Sequence, residues 1–95
     1  MLSEKQINII IDVLKPYNPT KIGIFGSVAR GENTSGSDID ILYSLENEIS
    51  LFKHIRLMES LKKSLNVDVD LVSETALHPR LKDSILNDLQ IIYEN

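Results

Sequence analysis

A Gly-Ser pair and a set of aspartates are the residues of this chain whose types and spacing could do chemistry. An apolar run, Ile22-Gly-Ile-Phe25, stops at Gly26-Ser27 and continues into Val28-Ala-Arg-Gly31. Ten residues separate Ser27 from Asp38, and Asp38 and Asp40 alternate with Ile39 and Ile41 in a second apolar run. A third run, Val67-Asp-Val-Asp-Leu-Val72, carries Asp68 and Asp70. Glycine after a strand lets backbone N–H groups come close to a phosphate, and a helix start behind it adds positive dipole. Carboxylates alternating along a strand share one face, which suits an oxygen-preferring cation such as Mg²⁺. A phosphate cradle beside three acidic oxygens is equipment for moving a nucleotidyl group.

The pattern is specific. Gly-Ser at one fixed distance before Asp-x-Asp arises by chance on the order of once per thousand chains of this length. Asp38, Asp40 and a third aspartate close together would repel and raise one another's pKa. Two Mg²⁺ ions remove that conflict and give a template for in-line displacement, about 3.5–4 Å apart. Alternation leaves the third carboxylate open, because Asp68 and Asp70 point the same way.

These residues resemble the nucleotidyltransferase superfamily of DNA polymerase beta, most closely its minimal members, the MNT proteins. The resemblance covers Lys21 to Val72 and rests on Gly-Ser-Val-Ala-Arg-Gly at 26–31, Ser-Asp-Ile-Asp at 37–40 and Val-Asp-Leu-Val at 69–72. It implies that Asp38 and Asp40 bridge the metals. It favours Asp70 over Asp68 as the acid that holds the catalytic metal and orients or deprotonates the attacking hydroxyl. Gly26 and Ser27 are expected on the β- and γ-phosphates of ATP, with Arg30 and Ser37 as further nucleotide contacts. Ser27 is also placed to cap a short helix through Ala29 with no ligand at all, and a lone Arg30 could equally be solvated. The family's minimal members often act as antitoxins of HEPN-domain ribonucleases. The acceptor so implied is a tyrosine of such a toxin, silenced by AMP transfer. The alternatives are a non-catalytic antitoxin that blocks its partner stoichiometrically and a small-molecule nucleotidyltransferase.

Composition sets the bounds. Ninety-five residues make one domain, residues 1–95, with one core. With 42% apolar and 25% charged residues the chain has the make-up of a globular protein. No stretch approaches membrane-spanning length and no signal peptide precedes the first helix. The absence of cysteine excludes disulfides and thiolate metal sites; it fits a cytoplasmic location. A net charge of −4 argues against binding nucleic acid directly.

The positioning elements follow from periodicity. Ser3-Glu-Lys-Gln6 reads as a capping box, and Ile7, Ile10, Ile11 and Leu14 form one helical stripe ended near Pro16. Lys21–Phe25, Asp38–Tyr43 and Val67–Val72 are the expected strands, the second with Asp38, Asp40 and Leu42 on one face. Leu51, Ile55, Met58, Leu61 and Leu65 mark a helix lying on the sheet, with His54 and Arg56 solvated. Pro79 suits a first helical position, and His78 before it is structural. Leu81 and Ile85 mark a short helix, and Leu89, Ile91 and Tyr93 alternate as a closing edge strand. The sum is an α/β (α+β) domain: a small mixed β-sheet covered by helices on one face, its other face open to nucleotide. The apolar edge strand predicts a homo- or hetero-oligomer.

Overall fold

The structure, a computed structural model, describes residues 2–32 and 38–95; Ser37 falls outside them. The elements run α1 (Glu4–Leu14), β1 (Pro19–Phe25), α2 (Gly26–Arg30), β2 (Ile39–Leu45), α3 (Leu51–Leu65), β3 (Val69–Ser73), α4 (Pro79–Asp88) and β4 (Gln90–Glu94). The strands form one mixed sheet in the order β3-β2-β1-β4. β1 is antiparallel to β2 and to β4, and β2 is parallel to β3. Parallel pairing needs a crossover, which α3 supplies. None of the described helices is long and apolar enough to cross a membrane.

α1 starts where the capping box puts it: Ser3 Oγ accepts from Gln6 N, and Gln6 Oε1 accepts from Ser3 N. Its Ile10 and Leu14 are fully buried. They meet Leu57, Leu61 and Leu65 of α3 over Ile22, Ile24, Ile39, Ile41, Val69 and Leu71 of the sheet. The Asp40 face is not bare. Gly23 pairs with Leu42 across the β1–β2 ladder, and a Cβ on Gly23 would run into Leu89. The α4–β4 corner therefore covers the β1 side of that face and leaves Leu42 fully buried. The end carrying Asp40 and Asp70 remains accessible.

The inward stripe of α3 differs from the expected one. Leu57, Leu61 and Leu65 are buried and Met58 half-buried, whereas Leu51 and Ile55 are 74% and 45% exposed. Leu51 lies about 120° around the helix from Leu57 at 3.6 residues per turn. The chain offers two apolar stripes, and the positions of α1 and β3 choose between them. His54 also differs. Its Nδ1 lies 2.6 Å from Tyr43 Oη, with the rings stacked at 5.7 Å between centroids. Tyr43 is buried, and that burial raises its pKa; the imidazole supplies the partner its hydroxyl needs. Arg56 is exposed, as expected, and lies over the Phe52 ring.

β2 begins at Ile39 and not at Asp38, and β4 carries Ile91 out to solvent at 44% exposure. A register shift between Ile22 and Gly23 breaks the alternation expected of β4. α4 is a full ten residues, with His78 Nδ1 accepting from Arg80 N as its cap.

Candidate active site

β1 delivers the chain to Gly26, whose φ of +75° is a left-handed conformation that side chains disfavour. A Cβ there would overlap Asp40 Oδ2 and lie 3.0 Å from Asp40 Cγ. Glycine suits this position by its dihedral angle, and any side chain here would also have to displace the Asp40 carboxylate. The N-cap position of α2 is Phe25, with no side-chain cap, so capping is not what Ser27 does here. Gly31, at φ +74°, ends the helix.

Asp40 and Asp70 are register partners across the parallel β2–β3 ladder, which sets the two carboxylates side by side on the sheet face away from α1 and α3. Phe25 is the Asp40 partner on the other side. Burial raises the Asp40 pKa, and the like charges of Asp70 and Asp38 raise it further, while Arg30 lowers it. Asp38 is exposed and lies just ahead of β2, outside the ladder but within reach of Asp40 electrostatically. Asp68 lies just ahead of β3, as Asp38 lies just ahead of β2, and borders a surface groove with Lys62, Asn66 and Val67. Its carbonyl accepts from Ile39 N at 3.0 Å.

Arg30 is exposed and engaged by two acids. Its Nε donates to Glu32 Oε2 at 3.0 Å and its Nη1 to Asp88 Oδ2 at 2.5 Å; these bonds raise its pKa. Sequence reasoning singled out Arg30 and missed Asp88, because 58 positions of chain separate them. A cavity of about 420 Å³, lined in part by Tyr43, Leu45, His54 and Ser73, lies at the far end of the strands. Tyr43 and Ser73 are three residues beyond Asp40 and Asp70, about 10 Å along the strands. It is no part of the aspartate cluster.

The donor set fits a hard divalent cation. Every group is an oxygen, and the like charges of Asp70 and Asp38, which add to burial in raising the Asp40 pKa, are what a cation offsets. Among the described residues, no three His, Cys, Asp or Glu side chains are gathered closely enough to hold an ion together as they stand. Asp40 and Asp70 form the paired core, with Asp38 at the mouth of β2.

A nucleotidyl-transfer centre of this build, on a four-stranded mixed sheet, defines a class, and the chain belongs to it: the family model described as Polymerase beta, Nucleotidyltransferase matches residues 8–95. Among relatives, the protein adenylyltransferase MntA of Thermococcus cleftensis is 35% identical over 94 residues, covering 94% of this chain and 95% of its own. A toxin–antitoxin crystal structure with AMP-PNP superposes with a TM-score of 0.86 at 25% identity, over 94% of this chain and 73% of that one. A tri-AMPylated Shewanella oneidensis HEPN toxin in complex with MNT antitoxin gives a TM-score of 0.82 over 99% of this chain and 74% of that one. Its identity of 22% makes that a likeness of fold.

Proposed function

We propose that this chain is a Mg²⁺-dependent protein adenylyltransferase that moves AMP from ATP to a tyrosine of a HEPN-domain ribonuclease, acting as its antitoxin in the cytoplasm. The observation that carries the chemistry is the in-register Asp40–Asp70 pair with Gly26 closed against Asp40. The protein acceptor is supported by the likeness to the Thermococcus protein adenylyltransferase and to the toxin–antitoxin structure with AMP-PNP.

Asp38, Asp40 and Asp70 would hold the metal ions, which when bound neutralise developing charge on the phosphates and lower the pKa of a coordinated hydroxyl. Gly26 and Ser27 lie at the turn where backbone N–H groups and the Ser27 hydroxyl take the β- and γ-phosphates. Arg30 and Ser37 are the remaining nucleotide contacts of this reading. Asp70 orients the acceptor hydroxyl and takes its proton. The tyrosine oxygen forms a bond to the α-phosphorus, the bond from that phosphorus to the α,β-bridging oxygen breaks, and pyrophosphate leaves. The Asp68 groove has no part in this.

The test is intact mass of the toxin after incubation with Mg-ATP and a tenth as much of this chain. Gain of AMP by most of the toxin establishes turnover. Silencing without added mass, and only at equal amounts, identifies a stoichiometric blocker instead. Labelling of a small molecule with no protein present identifies a small-molecule enzyme.

A further inference from the structure

α2 is five residues long, far below the roughly 12–15 at which an isolated helix becomes even marginal in water. Something outside it must hold the turn that begins at Gly26. Three of its carbonyls have partners beyond its own residues. Ser27 O accepts from Glu32 N at 2.9 Å and Val28 O from Gly31 N at 3.2 Å, both local. Ala29 O accepts from Gln90 Nε2 at 2.8 Å, across 61 positions of sequence. One residue on, Arg30 is held by Asp88. Both long-range bonds come from the same place, the corner where α4 ends and β4 begins. Gln90 is also the register partner of Ile24, two residues before Gly26.

From this geometry we infer that Asp88 and Gln90 are positioning residues for the nucleotide-binding turn. Gln90 anchors the end of α2 through its backbone. Asp88, with Glu32, fixes where the Arg30 guanidinium sits. Neither residue touches the aspartate cluster; both act through α2. The inference rests on the nucleotide-binding reading above and adds to it the C-terminal corner that carries the turn.

The experiment uses the full chain with Gln90→Glu, Gln90→Lys, Asp88→Ala and Asp88→Asn. Gln90→Glu keeps the size and removes the donor; Gln90→Lys restores a donor; Asp88→Asn keeps an acceptor oxygen. Three quantities are read: the KM for Mg-ATP against kcat, the calorimetric Kd for Mg-ATP, and amide hydrogen exchange at residues 26–31 without nucleotide. Gln90→Glu and Asp88→Ala should raise KM and Kd about three- to tenfold, the scale of one lost hydrogen bond, with kcat within about twofold. Exchange at 26–31 should quicken while the β1–β2 ladder stays protected. Gln90→Lys and Asp88→Asn should recover part of each loss. Unchanged KM, Kd and exchange in Gln90→Glu and Asp88→Ala would overturn the inference, as would equal falls in kcat and melting temperature with no KM effect. The exchange measurement needs no ligand. It therefore decides the role of the corner even if the wild-type chain binds no Mg-ATP, a result that would instead end the nucleotide-binding reading.

Discussion

Gly26→Ala and Gly31→Ala form a controlled pair. Both glycines have φ near +75°, and an alanine in that left-handed region costs about 1–2 kcal/mol. At Gly31 nothing among the described residues lies within 4 Å of the added Cβ, so the dihedral cost is the effect expected there. At Gly26 the methyl overlaps Asp40 Oδ2 and lies a tight 3.0 Å from Asp40 Cγ. Overpacking of this kind adds about 1–3 kcal/mol unless the carboxylate rotates aside. A kcal/mol is worth about 4–8 °C in a domain of this size. Gly26→Ala should then melt at least roughly 4 °C below Gly31→Ala, or match it with Asp40 displaced. Either way transfer should fall by more than about a hundredfold in Gly26→Ala and stay within a few-fold in Gly31→Ala. The assay combines thermal melts in chelator with transfer of labelled AMP. Asp40→Ala in the Gly26→Ala background should recover the extra stability loss, giving a coupling energy that no pair of distant sites shows. Equal melting, equal transfer and zero coupling would refute the claim that this glycine exists to admit that carboxylate.

Four further outcomes follow from the same structure. Asp38→Asn, Asp40→Asn and Asp70→Asn should each abolish AMP transfer, and Asp68→Asn should keep most of it, since Asp68 lies in the Lys62–Asn66 groove; transfer assays on all four decide. The raised Asp40 pKa means the folded chain holds that proton more tightly than the unfolded one, so this residue's contribution falls as pH rises from the ordinary carboxylate range through its raised value. In chelator, Asp40→Asn should match wild type at low pH and exceed it by roughly 0.2–1 kcal/mol at pH 7, the scale of a like-charge cross-strand pair; denaturant melts across pH read the difference, and a less stable variant at pH 7 contradicts the sign. Mg²⁺ with ATP at about a hundred times Kd should add about 2.7 kcal/mol of stability by mass action, while ATP in chelator adds little, as calorimetry will show. Leu57→Ala should cost about 2–5 kcal/mol and Leu51→Ala less than about 0.5, because only the first is buried; reversed costs in urea melts would restore the expected stripe on α3.

What the amino-acid sequence determined by itself is local. Ser3 and Gln6 close their capping box within one turn, His78-Pro79 starts α4, and Gly26-Ser27 ends β1, because each depends on neighbours three or four positions away. The strands that carry Asp40 and Asp70 were legible too, since Ile39-Asp-Ile41 and Val69-Asp-Leu-Val72 are short apolar patterns. Tertiary structure decided whatever depends on which elements become neighbours. Alternation put Asp68 and Asp70 on an equal footing; only the parallel register of β3 on β2 sets Asp70 beside Asp40, with Asp68 just ahead of the ladder. The apolar residues of α3 offered two stripes, and packing against α1 and the sheet buried Leu57 while exposing Leu51. His54 looked solvated because its partner, Tyr43, lies on another element. Asp88 and Gln90 carried no signal at all, for their bonds to α2 exist only once β4 has paired with β1. Hydrogen bonds and ladders between distant segments are set by the whole fold, so no window of sequence contains them.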